Sequence, residues 1–144
     1  MKTCLIVYSD YYKDISKSLV DGSIKILKKN NIKYELYCID GSFEIPQLIN
    51  IKLKSKKYFA ALALGCIIKG QTPHFDIISS SISNSIMDLS IKYSLPIMNG
   101  VINCLNKKQA KLRSSLKKNK GTEAANALLS VLKNLKWNLR PESN

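Results

Sequence analysis

The amino-acid sequence predicts a three-layer α/β sandwich, doubly wound around a four-stranded parallel sheet. Strand-like apolar runs and amphipathic helical stretches alternate four times along the 144 residues, an order that demands parallel strands, right-handed crossovers and helices on both faces. The third run, Tyr58 to Leu64, is apolar without alternation, as suits a strand covered on both sides. No linker, low-complexity stretch or internal repeat divides the chain, so residues 1–144 read as one domain. An apolar content of 45% is enough for one sizeable core.

Cys4 to Val7 is the first strand and Tyr8 to Asp14 a polar turn, after which Ile15, Leu19, Ile24 and Leu27 fall on the inner side of a helix. The second strand, Tyr34 to Ile39, ends in the turn chemistry of Asp40-Gly41-Ser42. Ile45, Leu48, Ile49 and Leu53 mark the second helix, which tolerates Pro46 only in its first turn. The third strand ends at Gly65. Thr72 suits an N-cap and Pro73 the first helical position, so a helix is predicted to start here. Phe75, Ile78, Ile82, Ile86, Leu89 and Tyr93 then recur at steps of three or four as its core stripe. Pro96 to Ile102 is the fourth strand. Leu105 to Leu116 and Thr122 to Leu135 complete the helices around a polar break at Lys117 to Gly121, and the tail from Asn138 is predicted to fray.

Composition narrows the function classes. No apolar run approaches the length of a membrane span, and Met1-Lys-Thr-Cys-Leu-Ile-Val-Tyr is too short and too quickly interrupted for a signal peptide, so the expectation is cytoplasmic, with no membrane partner. Cys4, Cys38, Cys66 and Cys104 are widely spaced, form no CxxC pair and read as buried reduced thiols in strands. A zinc site would have to draw ligands from four separate elements with one histidine at most, so no metal is expected. Basic residues exceed acidic ones by 23 − 10 = 13. The lysines run along almost the whole chain, without an arginine-rich stripe or interleaved aromatic residues, which reads as solvated lysine faces and not a nucleic-acid surface.

Gly65-Cys-Ile-Ile-Lys-Gly-Gln-Thr-Pro-His-Phe-Asp76 carries the chemistry. It runs from a buried strand through a turn into a helix, beside the single histidine, His74. The backbone N–H groups around Gln71 would face open space with the positive end of a helix dipole behind them, which makes an anion site. The turn follows the C-terminal end of a strand, the edge where open α/β sheets bind ligands. There His74 could move protons beside a bound phosphate. The alternative is a plain strand-to-helix connection with an incidental surface histidine, and this segment alone weighs the two equally.

Five pieces in order decide between them: Gly41-Ser-Phe-Glu-Ile-Pro46, Ala63-Leu-Gly-Cys-Ile-Ile-Lys-Gly-Gln-Thr-Pro-His-Phe75, Pro96 with Gly100-Val101, Gln109-Ala110 with Arg113, and Asn119-Lys-Gly-Thr-Glu-Ala-Ala125. Through them the chain resembles the 6,7-dimethyl-8-ribityllumazine synthases of riboflavin biosynthesis over nearly its full length. The resemblance implies a flavodoxin-like fold and a transferase that condenses 5-amino-6-(D-ribitylamino)uracil with 3,4-dihydroxy-2-butanone 4-phosphate, releasing phosphate and water without metal or organic cofactor. It implies His74 as the proton-transfer residue, with Gln71, Thr72 and Arg113 on the phosphate. It implies pyrimidine and ribityl contacts from Tyr11, Ser42, Phe43, Glu44, Cys66, Ile67 and Ile68. The simpler readings are core packing for Phe43, Ile67 and Ile68, and for Glu44 a charge favourable to a helix dipole.

Asn99 stands beside the pyrimidine where the family usually has a second aromatic. That departure keeps open the alternative of a non-catalytic relative that binds lumazine or flavin. The resemblance further implies a homopentamer with active sites shared between subunits, Arg113 coming from the neighbour, and it admits riboflavin synthase as a partner.

Overall fold

The computed structural model describes residues 3–70 and 73–135. Four strands, β1 (Thr3–Ser9), β2 (Lys33–Ile39), β3 (Tyr58–Ile68) and β4 (Ile97–Cys104), form one sheet in the order β2-β1-β3-β4, and every neighbouring pair is parallel. Five helices connect and cover them: α1 (Lys13–Lys29), α2 (Ile45–Leu53), α3 (Phe75–Tyr93), α4 (Lys107–Arg113) and α5 (Lys120–Asn134), with a single 3₁₀ turn at Ser42–Glu44 before α2. The predicted class and strand count hold. The chain crosses from β1 outward to β2 and returns to β3 on the other side of β1, which places the switch point of the winding between β1 and β3.

The two faces of β1 show why helices must cover both sides. Leu5 and Val7 pack with Ile45, Ile49, Ile82 and Ile86 on the α2/α3 side. Cys4 and Ile6 pack with Val20, Leu27, Ala125, Leu128 and Leu132 on the α1/α5 side. Alternation with period two thus persists in a strand whose sequence shows none, because both faces are apolar.

Several boundaries move. β3 continues through Gly65 to Ile68, held by pairing with β4 as far as Ile68 against Cys104. Gly65 is therefore not a strand end. A methyl there would lie 2.4 Å from Ser9 Oγ and 2.7 Å from Ser42 Oγ, so glycine leaves room for two hydroxyls that hydrogen-bond each other at 2.6 Å. The third helix begins at Phe75, with Pro73 in the preceding turn and His74 as N-cap residue; Thr72, expected as the cap, lies outside the described residues. The fourth helix is shorter than expected, ending at Arg113. The expected break at Lys117 to Gly121 is also shorter, because the Asn119 side chain accepts from Thr122 N at 3.0 Å and starts α5 at Lys120. The tail expected to fray lies outside the described residues.

Cys38 departs from the expectation of buried thiols. Cys4, Cys66 and Cys104 are buried, but Cys38 is exposed, because β2 is an edge strand with one neighbour. On the same strand Glu35 accepts from the ammonium of Lys57 and from the phenols of Tyr58 and Tyr37. The Lys57 ammonium first, and the Tyr58 hydroxyl second, hold its carboxyl below the usual carboxylate range. A depressed folded-state pKa adds stability that is present above the unfolded-state value and fades as pH falls through the folded one. A Glu35→Gln variant is expected to flatten the acid limb of a urea-midpoint against pH curve. An unchanged limb would show that the contact contributes nothing in solution.

Candidate functional site

The C-terminal edge of the sheet gathers most of the residues the sequence singles out. β1 ends at Ser9, whose carbonyl accepts from Ser16 Oγ in α1, which fixes how the chain turns into the first helix. Ser42 Oγ meets Ser9 Oγ and anchors the 3₁₀ turn over the end of β1. The turn carries Phe43 and Glu44 outward, and both side chains are exposed. β3 delivers Cys66, Ile67 and Ile68 to the same place, all buried.

Together these elements enclose an apolar pocket of about 240 Å³. Its walls are Tyr11, Tyr12, Gly41, Ser42, Phe43, Glu44, Ile78 and the last three residues of β3. Tyr11 and Tyr12 stand edge to face with ring centroids 4.9 Å apart. Burial, then the neighbouring thiol of Cys66, raises the hydroxyl pKa of Tyr12 above its ordinary value. Tyr11 is 69% exposed and Phe43 57% exposed, so two largely exposed aromatic rings stand at the rim of an otherwise apolar recess. Phe43 is not core, contrary to the simpler reading, because the 3₁₀ turn points it away from the sheet. Ile67 and Ile68 are core and pocket floor at once. Glu44 precedes the first residue of α2, where its charge suits the helix dipole, and it also lines the pocket.

Directly after β3 the chain opens a second recess, of about 560 Å³, lined by Lys69, Gly70, Pro73, His74, Phe75, Asp76 and Ile77. Gly70 adopts φ +87° with open space around it, a conformation that side chains rarely adopt and glycine takes freely. Gln71 and Thr72 lie outside the described residues. His74 is exposed, and its carbonyl accepts from Ile78 N at 2.9 Å, the first hydrogen bond of α3. The residue that opens α3 in the second recess is thus one helical turn from Ile78 in the wall of the first. Neither recess is closed, and β3 feeds both, the first through Cys66 to Ile68 and the second through Lys69 and Gly70.

Two predicted residues are not brought to these recesses. Arg113, at the end of α4, donates from Nη1 to Asn103 O at 2.9 Å and lies 3.8 Å from Cys104 Sγ. Asn99 is on β4, an edge strand, where Oδ1 accepts from Val101 N at 3.0 Å and Nδ2 donates to Ser83 Oγ of α3 at 3.3 Å. Neither residue lines either pocket. Tyr12 was missed by sequence reasoning, although it adjoins Tyr11 and pairs with it in the wall. A doubled aromatic at the first strand-to-helix turn was the available signal.

Among the described residues, no group of three or more His, Cys, Asp or Glu could hold a metal ion, and no helix is long and apolar enough to cross a membrane.

Comparison with known proteins gives a consistent set of relatives. A family model described as 6,7-dimethyl-8-ribityllumazine synthase matches residues 2–136. A protein of that name from Bartonella bacilliformis is 37% identical over 131 residues, covering 89% of this chain and 86% of its own. The Nitrobacter hamburgensis protein is 37% identical over 135 residues, covering 90% of this chain and 83% of its own. That of Limosilactobacillus reuteri is 35% identical over 129 residues, with 88% and 85% covered.

Proposed function

The chain belongs to the 6,7-dimethyl-8-ribityllumazine synthase family, transferases of riboflavin biosynthesis, and we propose how its residues divide the work of that reaction. The substrates are 5-amino-6-(D-ribitylamino)uracil and 3,4-dihydroxy-2-butanone 4-phosphate. The amine adds to the ketone and water leaves as the imine forms; phosphate then departs by elimination, and the ring closes with loss of a second water. Each step needs two molecules held together and a proton moved.

The observation that carries the division is the adjacency of the two recesses. The pyrimidine lies in the apolar one, stacked on Tyr11, with Ser42, Phe43 and Glu44 toward the ring and ribityl chain and Cys66, Ile67 and Ile68 beneath it. The butanone phosphate occupies the open one, between Gly70 and Pro73, where the sequence supplies Gln71 and Thr72, and His74 passes protons between the reacting atoms. A small pocket with exposed aromatic rings beside an open recess at a helix start suits a flat ring joined to a phosphorylated fragment.

Arg113 and Asn99 belong to the site only in an assembly. The chain forms a homopentamer in the cytoplasm, and these two side chains reach a neighbour's recesses. Ile77, Met87 and Ile91 support this, since they are 65%, 61% and 70% exposed along α3 and leave an apolar face in need of a cover. Asn99 offers an amide where an aromatic wall is usual, and riboflavin synthase remains the expected consumer of the product. Arg113→Ala is expected to raise the KM for the butanone phosphate about 10-fold or more, the size of a lost charge-assisted hydrogen bond, with the pyrimidine KM unchanged. A rise in the pyrimidine KM alone would move Arg113 to the other substrate.

The assay that tests the reading mixes the protein with both substrates and follows the fluorescent lumazine against a control without enzyme. No acceleration, with pyrimidine still bound, would favour a non-catalytic binding relative.

A further inference from the structure

We infer that Ser9 is a positioning residue of the apolar pocket: its buried hydroxyl donates to Ser42 Oγ and leaves the Ser42 proton to donate to a carbonyl oxygen of the pyrimidine. The inference rests on the reading that the pyrimidine occupies this pocket.

The two hydroxyls come from residues 33 positions apart in the chain and meet at 2.6 Å. Ser9 closes β1, and Ser42 opens the 3₁₀ turn that carries Phe43 and Glu44 to the pocket rim. They meet over Gly65 of β3, where a methyl would fill the space they share. Their bond therefore ties the turn to the edge of the sheet just before β3 supplies the pocket floor. The Ser9 carbonyl also accepts from Ser16 Oγ of α1, which fixes the short segment that brings Tyr11 and Tyr12 to the same pocket.

Burial decides which hydroxyl donates. A serine hydroxyl holds one proton and two lone pairs, so the pair shares one proton and must place the other elsewhere. Among the described residues each oxygen has the other as its one hydrogen-bond partner. Ser9 is 1% exposed and does not line the apolar pocket, so a proton turned away from Ser42 would be buried without an acceptor. Ser42 lines the pocket, where its proton can reach a ligand. Ser9 therefore donates, and Ser42 presents its O–H to the pocket in a fixed orientation. A ring carbonyl oxygen is the complementary atom on the pyrimidine.

The test is a double-mutant cycle on Ser9→Ala and Ser42→Ala, read from steady-state lumazine formation with each substrate varied in turn. Ser9→Ala is expected to raise the pyrimidine KM about five-fold, the size of a typical net hydrogen bond, with kcat and the butanone phosphate KM unchanged. On the Ser42→Ala background the same change is expected to move it by less than about two-fold, within the ordinary spread of additivity. An equal rise on both backgrounds would mean that Ser9 acts without Ser42 and would overturn the inference, as would a loss confined to kcat. Tyr11→Ala separates the inference from the reading beneath it, since Tyr11 lines the pocket but has no part in the serine pair. A raised pyrimidine KM in Tyr11→Ala with none in Ser9→Ala would overturn the inference alone, and no rise in either would overturn the pocket reading with it. A crystal structure of the wild type with the lumazine product bound needs no variant to fold. It is expected to show Ser42 Oγ bonded both to Ser9 Oγ and to a ring carbonyl oxygen, and a Ser42 hydroxyl turned away from the ring would overturn the inference.

Discussion

His74→Ala is expected to lower kcat by about 100-fold, the lower end of what a positioned general acid or base contributes, with the pyrimidine KM and the stability unchanged. The contrast follows from what the imidazole does not touch. His74 is the N-cap residue of α3, but its side chain makes no cap hydrogen bond, and the bond from Ile78 N goes to the backbone carbonyl that alanine keeps. Removing an exposed ring with no side-chain partner among the described residues costs within about 0.5 kcal/mol of stability. The apolar pocket is lined by Tyr11, Tyr12, Phe43, Ile78 and the end of β3, not by His74. Steady-state rates of lumazine formation with each substrate varied in turn separate the terms. A loss confined to KM would make His74 a binding group, and unchanged kinetics would return it to an incidental surface histidine.

The fold was legible wherever burial imposes a period. The stripe from Phe75 to Tyr93 and the unbroken apolar run of β3 predicted their elements directly. The extent of β3 was not legible, because glycine at 65 reads as punctuation in one dimension. In three dimensions it is a clearance under Ser9 and Ser42, contributed by strands and turns far apart in sequence. Cys38 failed for a related reason, since whether a strand is central or at an edge is a property of the sheet order.

The candidate site divides along the same line. Residues at the ends of β1 and β3 and in the turn after β2 converge because parallel strands deliver their C-terminal ends to one edge. Arg113 and Asn99 engage their own chain's backbone and Ser83, away from both recesses, and the role proposed for them needs a neighbouring subunit.

Gly121→Ala is expected to be the most damaging conservative change in the helical layers. In sequence Gly121 reads as the end of a polar break; in the structure it lies in the first turn of α5, where that helix crosses α1. A methyl there would lie 2.0 Å from the carbonyl oxygen of Leu19 and 2.7 Å from its carbonyl carbon. Both are backbone atoms of α1, so no rotamer change relieves the contact and the helices must move apart. A normal carbon-to-oxygen approach is about 3.3 Å or more, which sets the separation at more than about 1 Å.

That displacement would loosen Leu19 and Leu128 in their clusters and stretch the hydrogen bond from Ser23 Oγ to Gly121 O, now 2.8 Å. It would also strain the hold of Asn119 Nδ2 on Ser18 O at 2.9 Å. Replacing glycine in a helix gains about 1 kcal/mol from propensity, whereas overpacking against immovable atoms costs about 3 kcal/mol. The clash wins by about 2 kcal/mol, which at an m-value of about 1–3 kcal/mol/M lowers the urea midpoint by roughly 1 M. Gly22→Ala, whose methyl would meet the side chains of Asn119 and Thr122, tests the same crossing from α1 against side-chain atoms, whose displacement gives up the Asn119 cap of α5, worth about 1 kcal/mol, without parting two backbones. It should cost less. Equal losses in the two variants would show that the backbone contact is no worse than the side-chain one, and a raised midpoint in Gly121→Ala would show that the two helices separate freely.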